Sequence, residues 1–430
     1  MASAQQTKFD AIVVGAGPAG ATAAYKLAEK GLRVLLVERG RGSGSKQVFG
    51  GRIYASLLKK VFPDLDKAPI HRWVTRERIS IVHDGRMLSL DFESPVKHSF
   101  TAYLTQFTSW IVGKAVEAGA VYVDEVRVDS LVRKNDRIVG IESGGDIVYA
   151  DVVVDAEGAN RLLLEKLGLV EKAKPDQVAL GVKEVIKIGE DKLEERFGLR
   201  PGEGMAWLMV GEVVDYLPGG AFIYTNKDSI SLGIVVHLGH AMGEAKQPIY
   251  TLVEKLRLHP LLRHLWADGD IMEYSAHITI EAGYKYMPHK LATNGLVVVG
   301  DAAGLLLDTG LTFRGVDYAV YSGALAAEAI VKARDEGRFD EQTLKRLYEE
   351  PLKKSIIYKD IMRHRAAERI MSNPRFLKAY APAMVDAIAG VFELGDETPL
   401  FMESLKKSLA KHRVSMLRML LDLYRVVNKL

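Results

Sequence analysis

The 430-residue sequence contains no cysteine. That excludes disulfides, cysteine nucleophiles, thiolate metal sites and any iron–sulfur cluster held by this chain itself. No run of about 18 apolar residues occurs, so no membrane-spanning helix is expected. The opening MASAQQTKF is polar, short and runs straight into a strand, leaving no room for a signal peptide. A cytoplasmic protein is expected. Strong charge of one sign is missing too, the net charge being +3. It is unevenly spread: residues 404–430 hold seven Lys or Arg against one acidic residue, a local +6, and the rest of the chain is at −3. The body therefore carries no nucleic-acid footprint. Internal repeats and low-complexity linkers are absent. His237, His240 and His289 lack acidic partners at metal-ligand spacing, so no metal is expected.

What is present begins at Phe9. Ala11 to Val14 reads as a buried strand, followed by Gly15-Ala16-Gly17-Pro18-Ala19-Gly20, a helix to about Lys30, a break at Gly31 and a second strand ending at Glu38. Gly15 makes the tight turn, Gly17 lets the backbone approach a pyrophosphate, and Gly20 lets helix and strand pack closely. The helix start aims free N–H groups and the positive end of its dipole at phosphate. Glu38 can accept hydrogen bonds from both hydroxyls of a ribose. Strand, glycine turn, helix, strand and acid stand in the right order, which makes this a dinucleotide-binding unit.

Two further strand ends decide between NAD and FAD. Val152 to Asp155 runs into Ala156-Glu157-Gly158, and Leu296 to Val299 runs into Gly300-Asp301. NAD needs only the first motif. Three strand ends converging on one long ligand suit a non-covalent FAD, with Asp301 accepting a hydrogen bond from a ribityl hydroxyl and nearby backbone N–H groups offsetting its charge. No second GxGxxG unit for a nicotinamide cofactor occurs.

The expected architecture is α/β: a Rossmann-type FAD-binding domain of the glutathione-reductase or p-hydroxybenzoate-hydroxylase-like class, a β-sheet-rich substrate or quinone domain, and a helical C-terminal region. The expected FAD-binding domain is discontinuous, at 1–71, 100–165 and 284–335. Within it, 104–118 reads as a helix and 121–150 as a small meander with turns at Asn135-Asp136 and Gly144-Gly145. The second domain is expected at 72–99 and 166–283, with helical breaks at 191–197 and 249–265. Residues 336–430 form the helical region.

GAGPAG, GGRIY at 50–54, AEGA at 156–159, GGAFIYTNKDSISLGIVV at 219–236 and GDAAGLLLDTGLTFRGVDYAVYSG at 300–323 resemble the FixC family. These are flavoproteins of the electron-transfer-flavoprotein:quinone oxidoreductase group, with geranylgeranyl reductases as distant relatives. The resemblance spans most of the chain to about residue 370. It implies an FAD that takes electrons from an electron-transfer flavoprotein of two subunits and passes them to a quinone, menaquinone or ubiquinone. It also implies a separate small ferredoxin-like iron–sulfur subunit, because fused enzymes of this group carry a cysteine-ligated cluster and this chain has no cysteine. A place on the high-potential branch of an electron-bifurcating assembly follows from the same resemblance. A geranylgeranyl reductase or a flavin monooxygenase of the same fold stays as the alternative.

The resemblance extends the candidate cofactor contacts to Pro18, Ala19, Arg39 and Val126 beside the dinucleotide unit. Many relatives carry an Arg and an Asp at the start of the helix near 104; here Leu104 and Thr108 stand instead. Arg52 or Gln106 is the substitute candidate for the pyrophosphate. Gly50 and Gly51 are expected against one side of the flavin ring, and Gly304 to Leu307 beside it. Thr309-Gly310 and Thr312 to Gly315 are expected to start a helix aimed at the flavin N1/O2 edge. Arg314 either adds to that or pairs with Asp308 or Asp317. Tyr224 and the histidines are proton-relay candidates.

In the tail, a single helix would place Leu405, Leu409, Met416, Leu420, Leu423, Val427 and Leu430 on one face. Lys407, Lys411, Arg418, Arg425 and Lys429 would gather opposite. Such a basic amphipathic helix can lie on the inner face of an anionic cytoplasmic membrane, or dock on the body or a partner subunit.

Overall fold

The computed structural model describes residues 8–45, 50–280, 283–367, 373–396 and 398–427. In chain order the early strands are β1 (Lys8–Val14), β2 (Val34–Val37), β3 (Gly50–Tyr54), β4 (Arg72–His83), β5 (Arg86–Glu93) and β6 (Ser99–Tyr103). Next come β7 (Val121–Val123), β8 (Ser130–Lys134), β9 (Arg137–Ser143), β10 (Asp146–Asp155), β11 (Val178–Lys187), β12 (Glu203–Gly211) and β13 (Gly219–Thr225). The last are β14 (Ser229–His237), β15 (Asp270–Ile280), β16 (Ala292–Thr293), β17 (Leu296–Val298), β18 (Leu307–Asp308) and β19 (Phe313–Arg314).

The first sheet has the order β16-β17-β10-β1-β2-β7, with β8 and β9 added through β10. From β17 to β7 all pairs are parallel, Val13 facing Val154 on one side and Leu36 on the other. Ala11, Ile12 and Val13 are fully buried, so both faces of the strand are covered, which is why it reads as an unbroken apolar run. Helix Pro18–Glu29 starts on a proline, whose missing N–H costs nothing at that position, and has no acid in its first turn. Its small residues admit helix Val316–Asp335 so closely that a Cβ on Gly323 would lie 2.2 Å from the Ala19 carbonyl.

The second sheet has the order β15-β11-β14-β13-β12-β4-β6-β3, with β5 on β4. Every pair is antiparallel except β12 with β4. Side chains alternate between two faces. Trp207, Ala221, Ile223 and Leu232 pack into a second core with Leu193, Phe197, Leu252 and Leu256 from its covering helices. Their neighbours Leu208, Val210, Phe222 and Tyr224 face a cavity between the sheets.

Two expectations change here. Segments 50–54 and 100–103, assigned by sequence to the FAD-binding unit, hydrogen-bond into the second sheet, because β3 and β6 pair with each other and β6 with β4. The tail is two helices, not one: Phe401–Lys411 and Met416–Val427, broken at Arg413 with φ +55°. The break turns the second helix, so Met419 and Asp422 are buried while Leu420 and Leu423 are exposed. Tyr380 Oη donates to Asp422 at 2.7 Å, and Arg375 pairs with it. Leu405, Leu409 and Met416 do face the small core around Tyr380. Leu430 and the Val427 side chain lie outside the described residues. No helix among the described residues is long and apolar enough to cross a membrane.

Candidate functional site

The parallel strands β1, β2 and β10 end at one rim, and the chain leaves each of them into the wall of a cavity of about 940 Å³. The β1 turn requires glycine. Gly15 has φ +99°, and a Cβ there would stand 2.4 Å from the Ala156 carbonyl. A Cβ on Gly20 would stand 1.9 Å from the Gly15 carbonyl, so Gly20 serves packing and does not line the cavity. Gly15, Gly17, Pro18 and Ala19 do line it, as do Glu38, Arg39 and Val126. The Glu38 carboxylate ties this corner together by accepting from the N–H of Ala16 at 2.9 Å and of Gly40 at 2.6 Å.

Ala156, Glu157 and Gly158 form the next stretch of wall. Glu157 holds the start of helix Leu162–Lys166, accepting from the N–H groups of Leu163 and Leu164. Asp155 beneath it is fully buried, and one of its carboxylate oxygens has no partner. Burial pushes the Asp155 carboxyl well above its ordinary pKa, and the neighbouring Glu157 adds to that.

Gly300 and Asp301 follow β17 in a short 3-10 turn and line the same cavity. The sequence-based expectation that backbone N–H groups offset the Asp301 charge fails, since no described donor reaches its carboxylate. Gly300 N–H donates to Ser322 Oγ at 3.0 Å, and Gly304 N–H donates back to Asp301 O at 2.9 Å. Desolvation alone raises the Asp301 pKa to about 6.

The segment after it differs from expectation. Residues 307–314 form a hairpin, β18 against β19, and the helix starts only at Val316. Thr309 builds the turn by accepting from Thr312 N–H at 3.0 Å, and Asp308 accepts from Gly310 N–H at 2.6 Å. Gly304, Leu307, Thr309 and Thr312 are therefore set back from the cavity, whereas Leu306, Gly310, Arg314 and Gly315 line it. Of the two readings of Arg314, the ion pair is found: it holds the buried Asp317 and reaches Asp360 at 3.3 Å. On the opposite side Gly51 and Arg52 line the cavity, while of Gly50 only its place in β3 is described. Arg52 pairs with Glu77 and Tyr54. Gln106 is taken up by His71 at 3.0 Å. Leu104 is in the wall.

Sequence reasoning missed the apolar wall of Leu208, Val210, Phe222, Phe313 and Leu377, and the phenol of Tyr54. Alternation along β12 and β13 carries the signal for the first three. Tyr224 and His237 also face the cavity. Burial raises the Tyr224 pKa to about 12 and lowers that of His237.

The glycine turn, an unpartnered buried carboxylate and a long mixed polar and apolar trough fit an FAD. Comparison with known proteins agrees. Residues 10–95 match the family of FAD-dependent oxidoreductases described by the DAO model. The chain is 39% identical over 393 residues to the probable electron transfer flavoprotein-quinone oxidoreductase YdiS of Escherichia coli, covering 90% of this chain and 91% of that protein. It is 36% identical over 410 residues to Escherichia coli FixC, covering 94% of each. Among solved structures, a geranylgeranyl bacteriochlorophyll reductase-like protein from Thermoplasma acidophilum superposes with a TM-score of 0.72 at 19% identity, covering 97% of this chain and 99% of that one. The flavin-dependent brominase Bmp2 gives 0.64 at 19% identity, covering 89% and 92%. These structural matches speak for the fold alone. The sequence matches, spanning nine-tenths of both partners, place the chain in the FixC family of electron-transfer-flavoprotein–quinone-oxidoreductase-like proteins, as an FAD-dependent electron-transfer oxidoreductase.

Proposed function

We propose that this protein takes electrons from an electron-transfer flavoprotein of two subunits and delivers them to a quinone. The observation that carries the reading is the cavity itself, which runs without interruption from the β1 glycine turn to the apolar face of the second sheet at Leu208, Val210 and Phe222. One end suits a dinucleotide and the other an apolar ring.

Within this reading the backbone from Gly15 to Ala19, at the start of helix Pro18–Glu29, holds the pyrophosphate, and Glu38 holds a ribose. Asp301 accepts from a ribityl hydroxyl and regains the partner it lacks. Gly51, Arg52 and Gly310 bound the ring. FAD, when bound, supplies the ability to accept electrons from one partner and hand them to another. Arg314 and Arg52 both stand at that end of the cavity, Arg314 held by Asp317 and Asp360 and Arg52 by Glu77. Tyr224 and His237 are placed to hold protons for the quinone.

A chain without cysteine needs an iron–sulfur carrier elsewhere, which supports a small ferredoxin-like subunit and a place on the high-potential branch of a bifurcating assembly. The exposed residues Leu417, Leu420, Leu421 and Tyr424, flanked by Arg418 and Arg425, support peripheral contact with the membrane that dissolves the quinone. The test is stopped-flow mixing of the FAD-loaded chain with reduced electron-transfer flavoprotein and, separately, with NADH, followed by addition of menaquinone or ubiquinone analogues. Reduction by the flavoprotein and reoxidation by quinone are expected. Millisecond reduction by NADH alone would point instead to a monooxygenase or reductase.

A further inference from the structure

Away from the cavity, three side chains from distant parts of the sequence meet. His83 ends β4, Asp386 lies in helix Ala381–Phe392, and His412 follows helix Phe401–Lys411. His412 Nε2 is 2.8 Å from Asp386 Oδ2, and His83 Nε2 is 3.8 Å from Asp386 Oδ1. One ligand atom from each, two imidazole nitrogens and a carboxylate oxygen, falls within 4.8 Å of the other two. In a tetrahedral zinc site with bonds of about 2.0–2.1 Å, ligand atoms stand about 3.3 Å apart. The trio is thus within a short side-chain adjustment of coordinating geometry.

The surroundings have the features of a ligand set. The two rings are 5.6 Å apart and inclined at 67°, so they converge on the carboxylate instead of stacking. The far nitrogen of His83, Nδ1, is 2.6 Å from the Tyr216 hydroxyl. That is the outer contact by which metal-binding histidines are oriented. All three side chains are mostly buried, yet each keeps 11–16% of its surface open, which leaves an entry path. Lys411 now supplies the positive charge, its Nζ being 2.7 Å from Asp386 Oδ2. Its side chain is 61% exposed and can swing into water when a cation takes its place.

We propose that His83, Asp386 and His412 bind one divalent transition-metal ion, zinc by ligand preference. The ion pins the C-terminal helical region to the second sheet and keeps a water in its fourth position. The site is separate from electron transfer and needs no redox change at the metal. His2Asp ligation suits zinc, and the open position follows from three protein ligands.

The experiment uses the full-length FAD-loaded protein, freed of metal with EDTA. It is titrated with zinc against a chromophoric chelator, and with cobalt by visible difference spectra in which the flavin cancels. One equivalent is expected, with cobalt d–d bands. His412→Gln and Asp386→Asn each lower zinc affinity at least tenfold, and Tyr216→Phe lowers it about tenfold by freeing the His83 ring. Lys411→Ala raises affinity, because it removes the competitor for Asp386. Flavin absorbance reports whether each variant has folded. Less than one equivalent in the unmodified protein overturns the proposal, as does unchanged affinity in a folded His412→Gln. Should that variant fail to fold, Lys411→Ala decides: affinity that does not rise overturns the site.

Discussion

The Glu38 carboxylate grips the amide of Ala16 at 2.9 Å, so the end of β2 holds the β1 turn in shape before any ligand arrives. Removing it leaves two N–H groups, of Ala16 and Gly40, without their acceptor. Glu38→Ala is expected to lower stability by about 1–3 kcal/mol and to weaken FAD binding as well. Urea denaturation of the FAD-free protein, beside fluorescence titration with FAD, separates the two effects. A variant that loses FAD affinity with stability unchanged would mean that Glu38 acts on the ligand alone.

Asp301 makes the FAD-free protein sensitive to pH. Its pKa is raised from 3.8 to about 6 by desolvation, so the folded state resists ionising this group. Its contribution is therefore fully present below about pH 4 and is lost as pH rises through about 6. Asp301→Asn is expected to melt higher than the parent at pH 8 and equally at pH 4, by scanning calorimetry without FAD. With FAD the order reverses. Asp301→Ala weakens binding by on the order of 1–3 kcal/mol, because a buried partner of the ligand is gone. Equal FAD affinity would remove Asp301 from the site.

Arg314 is committed to structure. Asp317 beneath it is 1% exposed and pairs with it through two guanidinium nitrogens. Arg314→Ala strands that carboxylate and is expected to cost about 3–5 kcal/mol. Arg314→Ala with Asp317→Asn should recover a large part, as read from a double-mutant cycle in urea. Full additivity of the two would show that the pair is not coupled.

Phe222 tests the apolar end of the cavity. Phe222→Arg puts a charge among Leu208, Val210 and Leu377. FAD content and the rate of reduction by electron-transfer flavoprotein should hold, while the quinone KM rises at least tenfold. Loss of the first two with the third unchanged would place Phe222 against the flavin instead.

The nucleotide half of this molecule was readable because its constraints are local. Gly15, Gly20 and Glu38 sit within one βαβ unit, where spacing along the chain equals spacing in space. The meander at 121–150 was readable for the same reason, its turns falling at Asn135-Asp136 and Gly144-Gly145 between β8, β9 and β10. What failed was long-range. Nothing in GGRIY says that its strand will pair with 99–103 and join the far sheet. The 309–315 stretch was read as a helix start, but Thr309 and Asp308 spend their oxygens on turn amides, which favours a hairpin. The tail kept the amphipathic pattern, yet one residue at φ +55°, Arg413, reset which face turns inward. His83, Asp386 and His412 share no spacing rule at all, because three separate elements deliver them.

The chain crosses between the two sheets four times, and β4 finds its parallel partner only when Trp73 meets Glu203. During synthesis β4 therefore emerges with one edge bare and waits until β12 has been made. An exposed strand edge invites pairing with other chains. The stretch Arg72–His83 carries its own protection, because Arg72, Arg76 and Arg78 keep it charged until the sheet closes. Neither sheet can be cut out as an independent fragment, so shortened versions of this protein should end between helices of the C-terminal region and nowhere earlier.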